Sequence, residues 1–75
     1  MEMAVKVVDA TGLRCPQPIL KVTIAMPEMQ PGDILEASAD CASFEEDIRK
    51  WCERMNKTLL AINRDGDKVT AQIQF

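Results

Sequence analysis

Hydrophobic and polar positions recur along this chain with two periods, and the switches between them mark six elements. Residues from about Ala4 to Asp9 are β-branched and apolar at Val5, Val7 and Val8, and predict a first strand. Thr11-Gly12 ends it, with Gly12 supplying a turn conformation that other residues resist. A helix is predicted from Pro16 to about Met26, where Ile19, Leu20, Thr23 and Ile24 have the i, i+1, i+4, i+5 spacing of one buried stripe. Pro27 and the Pro31-Gly32-Asp33 turn stop it. From Asp33 to Ala39 the period returns to two, with Leu35, Ala37 and Ala39 on one face and Glu36 and Ser38 on the other.

The next helix has the clearest pattern. Ser43 and Glu46 are spaced as a capping box, each side chain set to bond the other's free backbone N–H. Phe44, Ile48, Trp51, Cys52 and Met55 form a continuous apolar stripe, while Glu45, Asp47, Arg49, Lys50, Glu53 and Arg54 cover the remaining face. Asn56 suits a left-handed C-cap. A third strand runs from about Thr58 to Arg64, and Asp65-Gly66 signals a hairpin. The last strand, Lys68 to Phe75, points Val69, Ala71, Ile73 and Phe75 inward and Lys68, Thr70, Gln72 and Gln74 outward. The order βαβαββ implies right-handed parallel crossovers and an antiparallel terminal hairpin. The expected fold class is α/β (α+β): a two-layer sandwich of a four-stranded mixed sheet with two helices on one face. Its open sheet face is expected to be polar, and residues 1–75 to form one domain.

Composition narrows the function. A chain of 75 residues supports one modest core, burying about 60–65% of its unfolded surface. No apolar run approaches the roughly 20 residues of a membrane span, and no basic-then-apolar signal opens the chain, which points to the cytoplasm. With 9 Lys and Arg against 12 Asp and Glu and no dense basic run, direct tight nucleic-acid binding is not expected. The 3 cysteines make no Cys-X-X-Cys motif, histidine is absent, and the thiols are expected to be reduced. A four-ligand zinc site and a Cys–His nucleophile pair both lack their residues. No metal or cofactor is expected.

The chemistry concentrates in Gly12-Leu13-Arg14-Cys15-Pro16-Gln17-Pro18. Proline suits the first turn of a helix, so Pro16 is predicted as the first helical residue, Pro18 as the third and Cys15 as the N-cap. A thiolate there faces the positive end of the helix dipole, the N–H of Gln17 and the charge of Arg14, settings that lower a cysteine pKa. Cys15 is then a nucleophilic or group-carrying thiol. The alternative is a small buried residue that caps the helix poorly, since cysteine is a weaker cap than Ser or Asp.

Arg14-Cys15-Pro16-Gln17-Pro18, preceded by Val8-Asp9-Ala10-Thr11-Gly12-Leu13, resembles the signature of the TusA/SirA family of small sulfur-carrier proteins. The similarity continues through Met29-Gln30-Pro31-Gly32-Asp33, Asp47-Ile48 and Trp51-Cys52, over nearly the whole chain. The resemblance implies the same two-layer fold and a sulfurtransferase-like persulfide carrier. Cys15 of the Cys-Pro-X-Pro motif would accept sulfur from a cysteine desulfurase or rhodanese-type donor and pass it to an acceptor protein. Leu13, Arg14, Pro16, Gln17 and Pro18 would frame the sulfur and present it to partners. Family pathways include tRNA thiolation, molybdenum-cofactor biosynthesis and sulfur oxidation. Two other functions stay open: a regulatory or protein-binding module with a structural Cys15, and a thiol redox protein using Cys15 and Cys41. A polar open face would suit a monomer.

Cys41-Ala42 stands where the family usually has an Asp-Pro pair. If the first two strands are parallel, the Cys15 and Cys41 loops share one sheet edge, where open α/β folds commonly place their chemistry. Cys41 is then either a second thiol, receiving sulfur or resolving an oxidised Cys15, or an incidental loop cysteine beyond disulfide reach. Cys52 falls on the apolar stripe and is expected to be core, as are Trp51 and Met55. Asp40, Glu45, Glu46 and Asp47 are expected as helix-start chemistry rather than a carboxylate site.

Overall fold

The computed structural model describes residues 4–15 and 17–75. Strand β1 (Val5–Asp9) leads to helix α1 (Gln17–Ala25), which tightens into a 3₁₀ turn over Met26–Glu28. Strand β2 (Ile34–Ala39), helix α2 (Phe44–Arg54), strand β3 (Thr58–Asp65) and strand β4 (Lys68–Gln74) follow. The sheet order is β1-β2-β4-β3, with β1 and β2 parallel and β4 antiparallel to both neighbours. The α+β two-layer architecture is therefore the one the element order implied. A bulge between Leu59 and Ala61 shifts the β3 register and leaves Leu60 exposed. The hairpin loop is Gly66-Asp67, one residue later than the Asp65-Gly66 signal, because Asp65 still pairs with Lys68.

Leu35, Ala37 and Ala39 of β2 and Val69, Ala71 and Ile73 of β4 are buried, and α2 covers them with Phe44, Ile48, Trp51 and Cys52. Alanines on the two central strands leave room for the large Trp51 and Phe44 above them, a complementary packing of small against large. Phe75 packs at the end of this layer, its ring 6.3 Å from Trp51, with the Lys57 ammonium 4.7 Å from the ring centre.

Helix α1 departs from its predicted stripe. Pro18, Val22 and Ala25 are buried, Ile19 is half-buried, and Leu20 and Ile24 are 55% and 75% exposed. Apolar residues sit on every side of this short helix, so periodicity alone could not orient it. Packing chose the smaller residues, whose size permits close approach to the sheet. Thr23 lies at the seam between the helices, where its hydroxyl accepts from Trp51 Nε1–H at 3.2 Å and donates to the Ile19 carbonyl at 3.0 Å.

The open sheet face is also less polar than expected. Val5 and Val7 are exposed there, with Val5 in register beside Ile34. The first strand carries valines on both faces, so its alternation did not show which face the helices would cover. The expectation of a monomer loses the polar face that supported it.

Candidate functional site

Parallel pairing of β1 and β2 brings the C-terminal ends of both strands to one edge, and the loops leaving them meet there. The join is made by hydrogen bonds. Ala10 N–H donates to the Ser38 carbonyl at 2.7 Å, and Gly12 N–H donates to Asp40 Oδ1 at 3.0 Å. Asp9 accepts from both the hydroxyl and the N–H of Thr11, which turns the chain out of β1 and holds the Asp9 carboxyl below its usual pKa. Gly12 follows at φ +84°, a value that strains any residue with a Cβ. Residues 12–15 and 40–43 together line an open depression of about 590 Å³.

Cys15 is exposed at the rim of this depression. It is not the buried, poorly capping residue that was its alternative. The expected donor to its sulfur is corrected, however: Gln17 N–H is occupied by the Arg14 carbonyl at 2.8 Å. The assignment of Pro16 as first helical residue, and with it Cys15 as N-cap, lies outside the described residues. The group that reaches the sulfur comes from the other helix. Ser43 Oγ lies 3.0 Å from Cys15 Sγ, 2.9 Å from Asp47 Oδ2 and 3.7 Å from Cys41 Sγ. A hydroxyl has one proton, so Ser43 donates to the sulfur or to the carboxylate at any instant.

This use of Ser43 overturns the capping box. Ser43 precedes α2 at φ −99° and ψ 7°, outside the extended region a capping residue needs, and its side chain makes no cap bond. Glu46 instead pairs with Lys50 at 3.0 Å and raises that lysine's pKa. The remaining acidic residues diverge rather than converge. Asp40 joins the loops, and Glu45 pairs with Arg64 at 2.6 Å and Arg49 at 3.6 Å, which lowers its pKa. Asp47 is the one that joins the sulfur site.

The structure pairs Cys15 with Cys41 as a disulfide, their Cα atoms 5.9 Å apart across a sequence separation of 26. That distance lies inside the usual disulfide range, so the expectation of unpaired thiols is corrected for these two residues. The shared edge of parallel strands is the cause. Cys52 remains free and buried, and burial pushes its thiol pKa up. Among the residues expected to frame the sulfur, Arg14 and Gln17 are exposed and Leu13 packs half-buried against the core. Pro18 is buried, so it supports the site from below and cannot present sulfur to a partner. Pro16 lies outside the described residues. Sequence reasoning placed Ser43 and Asp47 in the helix start; the same residue types at the same spacing serve either purpose.

A protein-family model described as "Sulfurtransferase TusA" matches residues 6–74. Over 69 residues the chain is 38% identical to "Putative sulfur carrier protein YrkI" of Bacillus subtilis, covering 92% of each protein. The fold is similar to the crystal structure of a SirA-like protein from Desulfitobacterium hafniense, at a TM-score of 0.78 and 21% identity over 93% of this chain and 95% of that one. Among the described residues, no helix is long and apolar enough to cross a membrane. The match runs from β1 to the end of β4 and takes in both loops of the cysteine site, and the chain belongs to the TusA sulfurtransferase family.

Proposed function

We propose that this chain is a sulfur carrier that takes the terminal sulfur of a persulfide onto Cys15 and relays it to an acceptor protein. The donor is a cysteine desulfurase or a rhodanese-type protein. The Cys15 thiolate attacks the outer sulfur of the donor persulfide. A new sulfur–sulfur bond forms at Cys15 Sγ, the donor's bond breaks, and the donor leaves as a thiolate. The observation that carries this reading is the exposed Cys15 sulfur with the Ser43 hydroxyl 3.0 Å away. That hydroxyl stabilises negative charge on the attacking sulfur, as any hydrogen bond to a charged form does. The depression around it is open, which suits a protein-borne donor reaching in with a loop. Arg14 lines the depression, Gln17 is exposed two residues beyond Cys15, and Leu13 anchors the loop to the core.

The test is sulfur loading of reduced protein with a persulfide donor, read by intact mass and peptide mapping. Wild type is expected to gain one sulfur on Cys15 and Cys15→Ser none. Equal uptake by both would remove Cys15 from the role. A second reading, a dithiol redox protein cycling through a Cys15–Cys41 disulfide, is favoured by the 5.9 Å Cα separation. It expects reversible disulfide formation with no sulfur uptake.

A further inference from the structure

We infer that Cys41 is a resolving thiol that turns the carried sulfur into free sulfide, giving this chain a sulfide-releasing activity in addition to relay. The inference rests on the carrier reading for Cys15. Its observation is the juxtaposition of two sulfurs on one edge: Cys15 exposed, Cys41 half-buried beside it, Cα atoms 5.9 Å apart and both thiols lining one depression.

The geometry selects which sulfur of a Cys15 persulfide Cys41 would attack. A persulfide has an inner sulfur, which is Cys15 Sγ itself, and an outer one that projects beyond it. The fold brings Cys41 Sγ to Cys15 Sγ, so the inner atom is the one within reach. Attack there displaces the outer sulfur; attack on the outer atom would only move sulfur from one cysteine to the other. The step is Cys15–S–SH plus Cys41 thiolate giving the Cys15–Cys41 disulfide plus hydrosulfide. The Cys15 Sγ–Cys41 Sγ bond forms and the bond from Cys15 Sγ to the outer sulfur breaks. The departing sulfur keeps its proton and takes the bonding pair, and is thereby reduced as Cys41 is oxidised. Cys41 loses its own proton to water beforehand. Return to the starting state needs two electrons from a dithiol reductant, which leaves as its own disulfide.

Two features of the fold favour the step. The loops are tied to each other by Gly12 N–H on Asp40 and Ala10 N–H on Ser38, so the two sulfurs are held together rather than meeting by diffusion. Ser43 Oγ sits 3.0 Å from Cys15 Sγ and 3.7 Å from Cys41 Sγ, beside both the attacked atom and the attacker. Its one proton is available to whichever sulfur carries charge as the bond changes hands. Sulfur held on Cys15 therefore has two fates: a bound acceptor takes the outer atom, or Cys41 expels it as sulfide when none is bound.

The experiment loads fully reduced, oxygen-free protein with glutathione persulfide, removes the excess by rapid desalting, and follows sulfide release and intact mass together. Wild type is expected to carry one added sulfur briefly, release one sulfide per chain at a rate independent of protein concentration, and finish as the disulfide. Cys41→Ser and Cys41→Ala are expected to hold the persulfide at least about tenfold longer and release no sulfide burst. A reduced dithiol should restore the wild type for a second round of loading. Persulfide of equal lifetime in wild type and both Cys41 variants overturns the inference and leaves the carrier reading standing. So does wild-type sulfur mapped to Cys41 with no disulfide formed. Absence of added sulfur on Cys15 in every variant overturns the carrier reading, and the inference falls with it.

Discussion

At Ser43 a single hydroxyl proton has two takers, the Cys15 sulfur and the Asp47 carboxylate. Donation to the sulfur stabilises a thiolate and lowers the Cys15 pKa; the Asp47 carboxylate draws the proton away and adds a like charge that raises it. The two neighbours therefore act with opposite sign. In a Cys41→Ser background, where Cys15 is a free thiol, Ser43→Ala is expected to raise the Cys15 pKa, because the thiolate loses a hydrogen bond that favours its charged form. Asp47→Asn is expected to lower it, since the repelling charge is gone and Ser43 can turn fully to the sulfur. The pH dependence of Cys15 alkylation, read by peptide mapping, gives both values. Shifts in the same direction would show that the hydroxyl is not shared in this way.

At the scale of elements, the two helices show what local pattern can and cannot specify. Helix α2 places its charges on one face and its apolar residues on the other, so its buried stripe was legible before any packing was known. Its end was legible too. Asn56 takes φ +57°, with Lys57 N–H on the Cys52 carbonyl at 2.8 Å and Asn56 N–H on the Glu53 carbonyl at 3.3 Å. This is the paired-bond ending that a left-handed residue makes possible. Asn56→Gly is expected to leave stability unchanged or slightly raised, while Asn56→Val should cost about 1–2 kcal/mol, both measured by urea unfolding. Equal midpoints for the two variants would mean that the left-handed turn contributes nothing. Helix α1, apolar on all sides, offered no such contrast, and its orientation came from the sheet beneath it.

At the scale of the whole molecule, the Cys15–Cys41 link closes a loop that contains α1 and β2, about a third of the chain. A cross-link over this separation restricts the unfolded chain and stabilises the fold by about 3.5 kcal/mol in the loop-entropy treatment. Reductant is therefore expected to lower the urea midpoint of the wild type and to leave Cys15→Ser unaffected. If reductant shifts both equally, the link is not the cause. For a chain of 75 residues, whose total stability is of order 5–15 kcal/mol, the oxidised and reduced forms differ by a sizeable fraction of the whole. The sulfur site thus sits at a place where its redox state is felt throughout the fold.

Periodicity and turn chemistry, which are local, were enough to specify the element order, the α2 stripe and the inward face of β4. They act through neighbours a few residues away, and the chain carries that information wherever it goes. The orientation of α1, the apolar patch at Val5 and Val7, the diversion of Ser43 from cap to sulfur and the meeting of Cys15 with Cys41 were decided only by tertiary structure. Each depends on which strand lies beside which. Parallel pairing of β1 and β2 brings together residues 26 positions apart, and no property of either loop alone encodes that distance.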